Sequence, residues 1–180
     1  MKIAVPIVLS LMLLAGAAQA QDQGQAQAMA DRDKLPDPPE VEAARAAARA
    51  RAEANAMFFE GNAMEPDVET LPSGLQYKVL KAAPPNAPSP KVGDAVKLHY
   101  EGALINGQVF DSTLQGTPVV MILANVIPGW IEAIQRMKVG DDWMIYVPPE
   151  LGYGERDTGL VPPGSVLVYR LQLLGVLAVN

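Results

Sequence analysis

Few side chains in this 180-residue sequence are able to make or break bonds. His99 is the single histidine and reads as structural, which disfavours a Ser-His-Asp relay, and the absence of cysteine excludes a thiolate zinc site. There is no glycine-rich phosphate loop and no metal-ligand spacing, and His99, alone on a strand-like segment, reads as structural. Asp141 and Asp142 follow Gly140 and read most simply as surface charge. What remains is suited to noncovalent chemistry in an apolar pocket drawn from remote pieces of chain: Phe110-Asp111-Ser112, Val126-Ile127-Pro128-Gly129-Trp130, Tyr153-Gly154 and Pro162-Pro163. Each piece also has a plainer reading. Trp130 by itself is a core filler on a short amphipathic helix. Asp111 is a turn former or cap as readily as a polar group at a pocket edge. The Tyr153 hydroxyl either points at a ligand or ties down its own loop. The proline and glycine before Trp130 weigh toward a pocket, because they put the indole at the first turn of a helix, beside free backbone N–H groups.

The elements that must position these residues follow from periodicity. Leu75, Tyr77 and Val79 alternate as a half-buried strand would, after turn residues Leu71 to Gly74. Residues 82 to 90 hold four prolines and read as an exposed loop. Val96 to Leu104 is strand-like, Asn106-Gly107 supplies a tight hairpin, and Val109 and Phe110 begin the return strand. Trp130, Ile134 and Met137 lie at i, i+4 and i+7, so Gly129 to Met137 reads as one short helix with Gly140 as a stop. Trp143, Ile145 and Val147 alternate, as do Leu167, Tyr169, Leu171 and Leu173. These readings predict an α+β domain: a twisted antiparallel sheet of about five strands with one short helix across its inner face.

Ahead of this domain the composition shifts twice. Residues 1–20 carry Lys2, an apolar run from Ile3 to Leu14 and Ala18-Gln19-Ala20, the pattern of a cleaved secretory signal, and the run is too short to span a bilayer. Residues 21–39, rich in Gln, Ala, Asp and Pro, read as disordered. Residues 40–65 turn to Ala, Arg and Glu and read as an N-terminal helix, a solvated stalk whose last turn, Met57 to Phe59, is able to dock. Residues 66–180 form the main domain. Signal cleavage would leave no membrane anchor and places the mature chain in the periplasm. A formal charge of −6 with 14 thinly spread Lys and Arg argues against nucleic acid as a partner.

Five ordered motifs carry a resemblance. They are Leu98 to Gly102, Gly107 to Ser112, Val126 to Trp130, Met137 to Gly140 and Tyr153-Gly154, completed by Val161-Pro162-Pro163 and Val168-Tyr169. Over residues 71 to 177 the chain resembles FKBP-type peptidyl-prolyl cis-trans isomerases, in particular the exported bacterial Mip-like and FkpA-like subgroup. The resemblance implies an FKBP-like fold, no metal or cofactor, and a pocket of Tyr100, Phe110, Asp111, Val126, Ile127, Trp130, Tyr153 and Tyr169. Within it, Trp130 would underlie the substrate prolyl ring, the Ile127 N–H and Tyr153 hydroxyl would bond substrate carbonyls, and Asp111 would act at the pocket edge. It also implies proline-containing unfolded or nascent exported polypeptides as substrates, macrolide ligands of the FK506 type, and a homodimer built on the N-terminal helix, here much shorter than the subgroup's dimer arms. Val119 and Met121 stand where the best-known members carry aromatics, and Tyr169 where a Phe is usual, so a weaker macrolide site is expected and the Tyr169 phenol needs a partner.

An isomerase needs no nucleophile. Rotation about an Xaa-Pro bond is slow because amide resonance sets a barrier of roughly 18 to 20 kcal/mol. Resonance is lost in the twisted state, so a dry pocket disfavours the charge-separated planar form relative to the transition state. The competing functional reading is a holdase chaperone whose pocket binds chain segments with little catalysis, motivated by Val119, Met121 and the helical appendage. A noncatalytic module that binds proline segments of one fixed partner is a third.

Overall fold

Alternating apolar residues require a sheet with one dry face, and an isolated amphipathic helix requires that face to cover it. A computed structural model describes residues 38–177 of the chain. It runs through helix α1 (Pro39–Asn62), strands β1 (Val68–Thr70), β2 (Gln76–Lys81), β3 (Ala95–Leu104), β4 (Val109–Ser112) and β5 (Val119–Ile122), helix α2 (Pro128–Arg136), and strands β6 (Asp142–Val147) and β7 (Leu167–Leu177). The signal expected in residues 1–20 lies outside the described residues, as does the disorder expected in residues 21–39 save for Pro38 and Pro39, the latter already the first residue of α1.

All strands pair antiparallel in one sheet of order β1-β2-β6-β7-β3-β4, with β5 also on β3. The α+β architecture is the expected one, but with seven strands. The two additional strands, β1 and β5, have three and four residues, too short to show a period. The inner face is built as the alternation predicts: Leu167, Tyr169, Leu171 and Leu173 of β7 are buried together with Trp143, Ile145 and Val147 of β6. Trp130, Ala133 and Ile134 of α2, with Met137 at its C-cap, join the same core cluster. Pro128 begins α2, where its missing N–H costs nothing, and the Met137 N–H bonds the Ala133 and Ile134 carbonyls to close it.

One strand edge is shared. Glu101 to Ala103 of β3 pair with β4, whereas Ala95 to Leu98 pair with β5. Between these stretches Thr113 stands in for the missing partner: its N–H donates to the Tyr100 carbonyl at 2.8 Å, and its Oγ1 accepts from the Tyr100 N–H at 2.9 Å. His99 also lies against Thr113, Nδ1 to Oγ1 3.2 Å, so the single histidine sits at this junction.

Three expectations need correction. Asp141 and Asp142 are not surface charge, being only 7 % and 8 % exposed. Asp141 staples the turn after α2 to the proline-rich loop, its Oδ1 accepting from the Ala83 N–H at 2.5 Å and its Oδ2 from the Lys138 N–H at 2.7 Å. That loop, exposed as expected, is also pinned, and the Val139 N–H adds a bond to the Pro88 carbonyl at 2.9 Å. Helix α1 docks further back than its last turn. Arg51 Nη1 donates to the Pro163 carbonyl at 2.5 Å, Asn55 Nδ2 to the Gly164 carbonyl at 2.8 Å, and Phe58 packs on Tyr146 with ring centroids 5.8 Å apart. Asn62 Nδ2 donates to Gln76 Oε1 at 2.7 Å, and Gln76 Nε2 returns a bond to the Phe59 carbonyl at 3.0 Å. These bonds bury Gln76 and spoil the simple alternation read for β2.

Asp142 is held by Arg170 through Nε at 3.1 Å and Nη2 at 2.7 Å, and by Gln172 Nε2 at 2.9 Å. Burial works to raise its pKa, but the hydrogen bonds from Arg170 and Gln172 outweigh it and hold the carboxyl below the usual range. A depressed folded pKa gives stability that is present above the unfolded value and is lost as pH falls through the folded one. Asp142→Asn is expected to cost about 1.5–3 kcal/mol near neutrality, and the deficit is expected to shrink below about pH 4. Urea denaturation of both proteins across pH 3 to 7 measures this, and a deficit independent of pH contradicts it.

Candidate functional site

Four rings from four elements meet edge to face. Tyr169, the third residue of β7 and only 3 % exposed, has its ring centroid 5.1 Å from that of Trp130 at an interplanar angle of 84° and 5.7 Å from that of Phe110 at 88°. Tyr100 of β3 closes the group, 5.1 Å from Trp130 and 6.4 Å from Tyr169. T-shaped pairs of this kind are worth about 0.5–1.5 kcal/mol each beyond the area they bury. Beside them opens a cleft of about 440 Å³, walled by Tyr100, Val126, Trp130 and Tyr169, with Met121 and Ile127 adding apolar surface. Asp111, Tyr153 and Arg156 stand at its edges.

The α2 N-terminus sets the mouth. Ile127 is the residue that caps it; its carbonyl accepts from the Trp130 N–H at 3.0 Å and the Ile131 N–H at 3.2 Å, while its own N–H lies outside the helix ladder. Gly129 is required here because a Cβ would stand 2.6 Å from a Val147 methyl and 3.3 Å from the Leu151 carbonyl oxygen. The close approach it permits seats the first turn, and with it Trp130, on β6.

The polar edge consists of phenols and one carboxylate. Asp111 is paired across from Gly102, two residues from Tyr100, so its carboxylate reaches the Tyr100 hydroxyl and accepts a short hydrogen bond from it. Burial and then that bond push the Tyr100 pKa up, keeping the phenol a neutral donor. Burial also raises the pKa of Tyr169, followed by the charge of and a hydrogen bond with Tyr153. Tyr153 is thus the phenol nearest in influence to that of Tyr169.

Most of the sequence-derived site residues therefore converge: Tyr100, Asp111, Val126, Ile127, Trp130, Tyr153 and Tyr169 all line the cleft. Phe110 does not line it and instead backs Tyr169 from behind. Ser112 turns away, its Oγ donating to Glu101 at 3.2 Å. Pro162-Pro163 is not part of the cleft either; Pro162 borders a separate hollow of about 170 Å³ with Arg51, Asn55 and Leu104. Gly152 and Arg156 line the cleft without any signal in the sequence, since neither lies on a periodic element. The Arg156 guanidinium sits 6.0 Å from the Tyr153 ring centroid, and its Nε donates to the Tyr153 carbonyl at 3.3 Å. Among the described residues no cluster of acidic, histidine or cysteine side chains is able to hold a metal ion.

With this geometry in hand, comparison with known proteins is informative. The family model described as FKBP-type peptidyl-prolyl cis-trans isomerase matches residues 86–174, and the domain amino-terminal to FKBP-type isomerases matches residues 10–79. The chain is similar to the peptidyl-prolyl cis-trans isomerase Mip of Coxiella burnetii, 47 % identical over 121 residues, which is 66 % of this chain and 52 % of that protein. The outer membrane protein MIP of Legionella longbeachae is 40 % identical over 121 residues, 66 % of this chain and 51 % of its own. The match thus spans about half the length of these curated relatives. Among solved structures, FkpA from Escherichia coli superposes with a TM-score of 0.68 at 30 % identity, covering 96 % of this chain and 74 % of that one.

The tightest point of the aromatic group is at Gly102. A Cβ there would lie 2.6 Å from a Tyr169 ring carbon and 2.7 Å from two Phe110 ring carbons. Gly102→Ala is expected to cost about 1–3 kcal/mol through overpacking and to alter the near-ultraviolet circular dichroism of the rings. Urea denaturation and the near-ultraviolet spectrum check this, and an unchanged midpoint and spectrum contradict the close approach.

Proposed function

Since the chain belongs to the FKBP-type peptidyl-prolyl cis-trans isomerase family, we propose that its aromatic cleft rotates Xaa-Pro peptide bonds and so accelerates the folding of exported proteins. The observation that supports this best is the joining of an indole floor to two free donors: Trp130 at the base, with the Ile127 N–H and the Tyr153 hydroxyl at the edges of one cleft. A prolyl ring fits flat on the indole, where it leaves water. The two donors take the flanking carbonyls and hold the chain on either side of the bond that turns.

Catalysis then requires only that the twisted amide be favoured over the planar one. The planar form carries more negative charge on its carbonyl oxygen and is better solvated by water. The walls of Val126, Trp130 and Tyr169 withdraw that solvation. The Asp111 carboxylate, fixed by Tyr100, adds a negative charge that opposes the planar form more than the twisted one. A thousandfold acceleration corresponds to about 4 kcal/mol. Neutral hydrogen bonds contribute about 0.5–1.5 kcal/mol each, so a few contacts that strengthen on twisting, together with desolvation, are sufficient. Asp111, Tyr153 and Ile127 act on the bond in this reading; Tyr100, Val126, Trp130 and Tyr169 bind the substrate, and Phe110 supports Tyr169. The substrates are unfolded or nascent chains containing proline. The relatives matched by this chain give the holdase alternative no support. An exported setting is supported by the signal-like residues 1–20.

Trp130→Leu is expected to lower kcat/KM on an Xaa-Pro peptide at least tenfold, and Asp111→Leu likewise, with the far-ultraviolet circular dichroism retained. A protease-coupled isomerisation assay measures both. Rates equal to the unsubstituted protein in both variants reject the cleft as the site.

A further inference from the structure

The loop that carries Tyr153 is fastened at its neck to helix α1. Residues 152–166 leave the turn Pro149–Leu151 and return to β7, and the neck is closed by the Gly164 N–H donating to the Gly154 carbonyl at 2.8 Å. Both glycines have left-handed backbone angles, φ +66° at Gly164 and +58° at Gly154, so the crossing tolerates side chains poorly. The Pro163 carbonyl, in the same peptide group as the Gly164 N–H, accepts from Arg51 Nη1 at 2.5 Å, and the Gly164 carbonyl, in the next peptide group, accepts from Asn55 Nδ2 at 2.8 Å. Arg51 and Asn55 are one helical turn apart and so share a face of α1. Asn55 is only 9 % exposed on a helix whose other residues from 39 to 62 are exposed or half-buried. An unbroken path of hydrogen bonds thus runs from the α1 side chain through Gly164 to Gly154, the residue next to Tyr153.

We propose that Arg51 and Asn55 are positioning residues for Tyr153, so that the N-terminal helix sets the geometry of the isomerase cleft through the neck of its loop. This rests on the isomerase reading above. Removing the Asn55 amide frees the Gly164 peptide, lets the neck shift, and moves the Tyr153 hydroxyl from where a substrate carbonyl meets it. Groups that act only through a shared partner are not additive, and this separates positioning from mere docking of the helix.

The test is a double-mutant cycle in the full chain, with kcat and KM measured on an Xaa-Pro peptide. Asn55→Ala is expected to lower kcat/KM threefold to tenfold, mostly in kcat, and Arg51→Ala to act in the same direction with partial recovery in Arg51→Lys. In a Tyr153→Phe background, Asn55→Ala is expected to have no further effect. Alanine favours the helix, so folding is retained, and circular dichroism checks it. Multiplicative losses in the double variant, or unchanged turnover in Asn55→Ala while Trp130→Leu is inactive, overturn the coupling and leave the isomerase reading intact. Absence of turnover in the unsubstituted protein removes that reading and the coupling with it.

Discussion

The buried ring of Tyr169 is the contact on which the remaining geometry depends. It lies near the start of β7, a strand flanked on both sides, and Trp130, Phe110 and Tyr100 meet it edge to face. Those three side chains come from helix α2, strand β4 and strand β3, so one ring fixes the relative placement of three elements. Gly102 permits the approach, because any Cβ on that part of β3 would collide with Tyr169 and Phe110. With the rings locked, the cleft beside them is a feature of the core rather than of mobile loops, as a site that must select a twisted geometry requires.

Around this rigid wall the polar groups are supported in pairs. Tyr100 is held by Asp111, and Tyr153 has Arg156 against its ring and its carbonyl, so these edge groups are each backed by a neighbour. The Ile127 N–H is set by the start of α2, which Pro128 and Gly129 fix in turn. Bond rotation asks for no general acid or base. What the reaction asks for is removal of water and a few well-placed hydrogen bonds, and a cleft of aromatic walls and supported phenols supplies both.

Much of this was legible in the sequence because it lies on periodic elements. The alternation from Leu167 to Leu173 and the helical spacing of Trp130, Ile134 and Met137 name the core directly. The motif residues Tyr100, Asp111, Val126 and Ile127 then fall together once the strands pair in register. The features that were not legible depend on single long-range bonds. Asp141 and Asp142 look like surface charge because nothing near them in sequence announces Ala83, Arg170 or Gln172 as partners. Asn55 looks like one more polar residue on a solvated helix until Gly164, 109 positions away, is placed beside it. Arg156 sits in a loop, where no period exists to reveal which way a side chain faces. Pro162-Pro163 misleads in the opposite sense: it belongs to the motif yet lies outside the cleft, Pro162 bordering another hollow.

Exchange spectroscopy by nuclear magnetic resonance on the isotope-labelled chain with an excess of an Xaa-Pro peptide bears most directly on the central claim, since it reads the site of binding and the rotation together. The account predicts cis-trans exchange cross-peaks far above the uncatalysed rate, with shifts concentrated at the Trp130 indole, the Ile127 amide and the amides of residues 152–154. Peptide exchange at the uncatalysed rate, or acceleration accompanied by shifts on another face while the Trp130 indole stays unmoved, contradicts it.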